Sequence, residues 1–173
     1  THHGTGEYRQ AAELLRQNVE YITEAQLYER FLLAQIPSVH SRTWLAACLA
    51  ELGEFEEGLR RGEEAVRIGQ SADHPVSLTG AYVGLGTVYL RKGDLGRATQ
   101  VHERALEIGG PGQLRIWLPW LLSSLGLAHC LLNRRERGLP FLEQAVAVAA
   151  SMKRSGGHSN RLAALGEGYL LAG

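Results

Sequence analysis

Several residues in this chain have types suited to chemistry, and each implies a spacing that can be checked. Gly84-Leu85-Gly86 has the opening of a glycine-rich loop that cradles phosphate with backbone N–H groups. Such a loop follows a strand and carries a third glycine at fixed spacing. Here no strand pattern precedes the pair, the third glycine is missing, and the stretch falls in the middle of a helical pattern. Close packing is therefore the expected role of both glycines. The seven histidines form no metal pattern, and neither Cys48 nor Cys130 has a Cys or His at ligand spacing, so no metal or other cofactor is expected. His102 and His129 fall on the inward phases of their helical patterns and belong in the core. No serine stands in a nucleophile-elbow context, and no acid, base and nucleophile are brought together by spacing. The chain is expected to be non-catalytic. Arg134-Arg135-Glu136-Arg137 has charge suited to phosphate or an acidic peptide, but its place between two helical patterns reads as a solvated turn. What remains is aromatic: Trp44, Trp117 and Trp120, whose wide faces suit a binding surface.

Composition narrows the partners. The 173 residues carry 18 basic and 18 acidic side chains, so bulk charge draws the chain to neither nucleic acid nor an anionic membrane. No apolar run approaches the roughly 18 residues that a membrane-spanning helix needs. The two cysteines lie far apart inside helical patterns, which predicts unpaired thiols and a reducing, cytoplasmic setting.

The elements that would position these residues follow a fixed period. Ala81 to Ile108 reads as two amphipathic helices joined at Gly93-Asp94. Gly53, Gly93, Asn133 and Gly173 recur every 40 residues. Eight residues before each stands Leu45, Leu85, Leu125 or Leu165, and seven before stands Ala46, Gly86, Gly126 or Gly166. Twelve after the first three anchors stand Ala65, Ala105 and Ala145. Glycine inside a helix costs about 1 kcal/mol relative to alanine, so its return at one phase points to a close helix crossing. The leucines are the expected knobs of the same crossing. The period divides the single domain into units at 38–72, 75–110 and 113–153, with a partial unit at 5–36 and a half unit at 157–173. In the partial unit Tyr8, Ala11 and Leu15 take the places of Leu95, Ala98 and His102, and seven inserted residues predict a short extra helix before Pro37. Asp73 is the expected cap of the helix that opens at Pro75, and Pro119 predicts either a kink or a helix start. The final helix carries Leu162, Leu165, Tyr169 and Leu170 with nothing after it to cover them, which predicts self-association through a chain end, most simply as a homodimer. With no starting methionine and both ends inside a repeat, the chain is expected to be part of a longer protein.

Leu-Gly before the turn, Gly at the turn and Ala in the second helix together resemble the tetratricopeptide repeat family. The usual period of that family is 34, and longer helices and connections account for the extra residues. The resemblance implies an all-α, right-handed solenoid of helix-turn-helix repeats that serves as a protein- or peptide-binding scaffold. LAELGEF, ADHP, YLRKGDL and LAALGEGYLLAG further resemble arrays in large bacterial signalling proteins that carry a nucleotide-cyclase or ATPase domain. That implies an alternative, a ligand-sensing domain that gates an attached catalytic or DNA-binding domain. In the family the first helices line a concave groove. By resemblance the groove residues are His40, Thr43, Ala47, Ala50 and Glu51, then Gly80, Val83, Thr87, Leu90 and Arg91, then Trp120, Ser123, Leu127, Cys130 and Leu131. The Lys, Arg and Asn that clamp a peptide carboxylate in this family are absent apart from Arg91. An apolar helix or extended peptide anchored on Trp120 is the expected partner.

Overall fold

Left-handed backbone at regular intervals sets the architecture. In the computed structural model, Gly53 has φ 78° and Gly93 φ 84°, each closing a helix, and Asn133 takes the same region at φ 60°. Only glycine enters that region freely and asparagine tolerates it, which explains the types at the recurring anchors. The structure describes residues 6–30, 33–109, 116–152 and 158–172. Among them are eight α-helices and no strand: α1 Tyr8–Tyr21, α2 Pro37–Leu52, α3 Phe55–Ser71, α4 Pro75–Lys92, α5 Leu95–Ile108, α6 Leu118–Leu131, α7 Arg135–Ser151 and α8 His158–Ala172. They form a right-handed solenoid in which α2–α3, α4–α5 and α6–α7 are helix pairs, flanked by α1 and α8.

Of three local expectations, two hold and one needs correction. Among the described residues the insertion forms a short extra helix, of the 3-10 type, at Glu24–Gln26; the Gln26 side chain reaches back to accept from the Thr23 N–H at 3.3 Å. The cap of α4 is His74, one residue later than expected. Its Nδ1 accepts from the Ser77 N–H at 3.3 Å, while Asp73 turns into positive φ. Of the two outcomes expected at Pro119, the helix start is the one found: α6 begins at Leu118, and a first-turn proline leaves no helical bond unmade.

The small residues act as slots. A Cβ added at Gly86 would stand 2.6 Å from the His102 ring, and one at Gly126 would stand 2.6 Å from Leu142 Cγ. His102 and Leu142 are themselves one period apart, and both are fully buried. In the first unit the glycines lie on the second helix instead: a Cβ at Gly58 would stand 3.5 Å from the Ala46 carbonyl oxygen, and one at Gly62 would stand 3.0 Å from Leu85 of the next unit. Leu45, Leu85, Leu125, Ala65, Ala105 and Ala145 are buried beside these crossings. Gly166 departs from the pattern. It is exposed, and a Cβ there would meet nothing within 4 Å, because no second helix covers α8 among the described residues; Gly168 instead lies against Leu142, and Leu165 is half-buried.

The solenoid is not uniform. α2 and α4 pack along their length, with Gly84 so near Thr43 that an added Cβ would stand 2.8 Å from its carbonyl oxygen. α4 and α6 meet over a short stretch only, because Val83, Trp117 and Leu121 stand between them. On the outer side, Arg16 of α1 grips Glu54 and Glu57 at 2.6 and 2.8 Å, tying the first helix to α3.

Candidate functional site

The tryptophans converge. Trp44 lies on α2, Trp120 in the first turn of α6 and Trp117 just before it, yet Trp44 is 5.9 Å from Trp117 and 5.1 Å from Trp120 between ring centroids. The cluster reaches across α4 because Gly80 gives way: a Cβ there would come within 2.7 Å of Trp117 Cζ2. Trp117 is buried, and its Nε1 has no hydrogen-bond partner among the described residues. Trp44 and Trp120 stay half-exposed, which leaves part of each ring at the surface. His40 sits edge-on to Trp44 at 6.1 Å, and its Nδ1 pairs with Gln35 Oε1 at 2.8 Å. Burial lowers the His40 pKa, which favours its neutral form.

The residues picked by family phase divide into two sets. Thr43, Ala47, Ala50, Gly80, Val83, Thr87, Leu90, Leu127 and Cys130 are buried between helices. The Thr87 hydroxyl donates to the Val83 carbonyl at 2.8 Å and is thereby satisfied. These side chains shape a floor but offer no open surface in this conformation. His40, Arg91 and Leu131 are exposed, while Trp120, Ser123 and Glu51 are half-buried. Arg91 pairs with Glu51 at 2.8 Å, so the cation on this face is neutralised by the residue one period before it. Trp44 and Trp117 lie off the selected phases; their residue type was the signal that marked them.

Two depressions lie elsewhere. One is bordered by Tyr8, Glu13 and Leu52, the other by Tyr82, Val101 and Arg104; both are open surface features. Among the described residues no three His, Cys, Asp or Glu side chains gather closely enough to hold a metal. Nor is any described helix long and apolar enough to cross a membrane.

Residues 38–109, which are the units built on α2–α3 and α4–α5, match the tetratricopeptide repeat family model. Over these residues the chain is similar to tetratricopeptide repeats. The solved structures similar to this chain agree on the fold. A Rap protein complexed with Competence and Sporulation Factor aligns with a TM-score of 0.65 and 16% identity, over 97% of this chain and 50% of that one. The chain thus spans half the length of the Rap protein. A Podosopora anserina protein described as a kinesin light chain with nearly identical TPR-like repeats aligns with a TM-score of 0.58 and 22% identity, over 99% of this chain and 82% of that one. Identities this low carry the fold alone. No curated protein matches the chain.

Proposed function

We propose that this chain is a non-catalytic scaffold that binds a protein or peptide along the first-helix face of α2, α4 and α6. The half-exposed Trp44–Trp120 pair carries the reading: two aromatic rings, 5.1 Å apart, left partly open on a face whose other accessible charges cancel. Large aromatic side chains supply much of the energy at protein interfaces. Because Glu51 neutralises Arg91, the face favours an uncharged helix or extended segment over an acidic tail. The contact set is then His40, Trp44, Trp120, Ser123 and Arg91, above a shaped floor of Thr43, Ala47, Val83, Thr87 and Leu127. The unpaired, buried Cys48 and Cys130 support a reducing cytoplasmic setting, in line with a regulatory role in a bacterial cell.

Selection of random peptides against the chain tests this. Apolar or aromatic peptides should be enriched, and Trp120→Ala should weaken them at least about tenfold, roughly 1.4 kcal/mol. Arg97→Ala, on the second helix α5 over the Tyr89 ring, should leave them unchanged. Peptides that bind Trp120→Ala as well as the original chain would overturn the assignment. The Rap protein bound to Competence and Sporulation Factor favours a second reading, in which a bound factor regulates an attached domain.

A further inference from the structure

The open surface around Trp44 and Trp120 limits the conformation that a partner can take. The side chains beneath it, among them Ala47, Val83 and Thr87, are closed between helices. No apolar groove is open there for an amphipathic helix, which docks by inserting anchors at i, i+3 and i+4. A β-type segment pairs its N–H and C=O groups with a sheet edge, and the described residues form no strand. A polyproline II segment needs neither. Its backbone stays solvated, and it docks on aromatic rings.

The rings form a ladder suited to it. His40 stands edge-on to Trp44 at 6.1 Å and 67°, and Trp44 stands edge-on to Trp120 at 5.1 Å and 65°. Rings that meet near a right angle leave a corner between them, which the small, rigid pyrrolidine ring can fill. Two residues of polyproline II advance about 6 Å, close to the spacing of successive rings. A quaternary ammonium group, another guest of tryptophan faces, needs rings spaced to enclose it, and Trp44 and Trp120 fill one another's space.

The polar groups beside the ladder are donors. Gln35 Oε1 accepts from His40 Nδ1 at 2.8 Å, which leaves the Gln35 amide nitrogen without a hydrogen bond among the described residues. That nitrogen lies beside Trp117: a Cβ at Gly80 would stand 2.9 Å from it and 2.7 Å from Trp117 Cζ2. The Ser123 hydroxyl, about one helical turn after Trp120, is half-buried and also unengaged among the described residues. Proline has a carbonyl but no N–H, so a proline-rich segment calls for donors alone. The cation on this face, Arg91, is already held by Glu51 at 2.8 Å.

We propose that the partner is a proline-rich segment in the polyproline II conformation. Its proline rings seat against Trp44 and Trp120, and its carbonyls accept from Gln35 and Ser123. This partner presupposes the scaffold reading and gives the bound segment its conformation and chemistry.

Tryptophan fluorescence of the whole chain, titrated with a short polyproline peptide, tests this. The emission should shift and saturate. Trp44→Ala and Trp120→Ala should each weaken binding at least about tenfold. Gln35→Leu and Ser123→Ala, at half-buried positions, should each weaken it about fivefold with unchanged far-ultraviolet circular dichroism. These two decide the matter if a tryptophan variant fails to fold. A peptide with alternate prolines replaced by leucine keeps its apolar area but loses the preformed conformation, and should bind at least about tenfold more weakly. Equal binding of the leucine peptide, with the same loss in Trp120→Ala, would overturn the proline assignment and leave the scaffold reading standing. Unchanged polyproline binding in all four variants would place the peptide elsewhere and overturn the proposal. A chain that ignores polyproline overturns it too. The scaffold reading then survives if selected peptides still bind, a cation site is indicated if choline chloride shifts the emission, and both readings fall if nothing binds.

Discussion

His102 is the residue whose chemistry and packing are most tightly joined. Its ring is fully buried over Gly86, and neither nitrogen reaches hydrogen-bond geometry with a described partner. Desolvation pushes its pKa down to about 4, with the backbone of Ala98 and Val83 opposing weakly. The unfolded chain returns it to about 6.5. A depressed histidine pKa means the unfolded state binds more protons between those values. Its contribution is therefore complete above pH 6.5 and is lost as pH falls to about 4, on the order of 3 kcal/mol. Leucine already fills the equivalent position at Leu142, so His102→Leu is the matched control. Urea midpoints measured from pH 7 to 4 should fall less steeply in His102→Leu. Equal slopes would show that His102 is not neutral in the folded chain. Gly86 and Gly166 share a phase but should respond oppositely. Gly86→Ala drives a methyl into the His102 ring and should cost about 1–3 kcal/mol through overpacking. Gly166→Ala meets open space and should gain up to about 1 kcal/mol of helix propensity.

At the scale of elements, the junction between α4 and α6 differs from that between α2 and α4. Gly84, Ala46 and Ala50 let α2 and α4 approach closely, whereas Val83, Trp117 and Leu121 hold α6 away. The start of α6 is instead fastened across α4 onto α2 through the tryptophans. Gly80 permits this, since any side chain there meets Trp117 and Gln35. Gly80→Val should thus displace Trp117 and uncouple the three rings. The near-ultraviolet circular dichroism of the tryptophans should collapse while helix content persists; an unchanged aromatic spectrum would place the cluster elsewhere.

Across the whole molecule, the solenoid separates features that a globular core would merge. Cys48 and Cys130 are both buried and free, in different units. Burial pushes the Cys48 thiol up to about 11 and raises that of Cys130. Both should resist thiol reagents in the native state and react after denaturation without reductant, at two thiols per chain. Fewer than two in monomeric protein would mean the cysteines meet, against the separation of their units.

The period of 40 made the helices, their turns and the packing phases legible, because each follows from residue spacing along one or two adjacent helices. Gly93 needs left-handed backbone, Leu125 needs an inward phase, and Pro119 needs a first turn wherever the rest of the chain lies. The structure decided what depends on distances between layers. Trp44 and Trp120 meet because the helix between them carries Gly80, a fact about side-chain volume that no single phase reveals. The groove phases became a buried floor because the small residues chosen for close crossing left no room between α2 and α4. Gly166 has the residue type of a slot, but whether a slot is filled depends on the neighbouring helix, and spacing within α8 is silent about that.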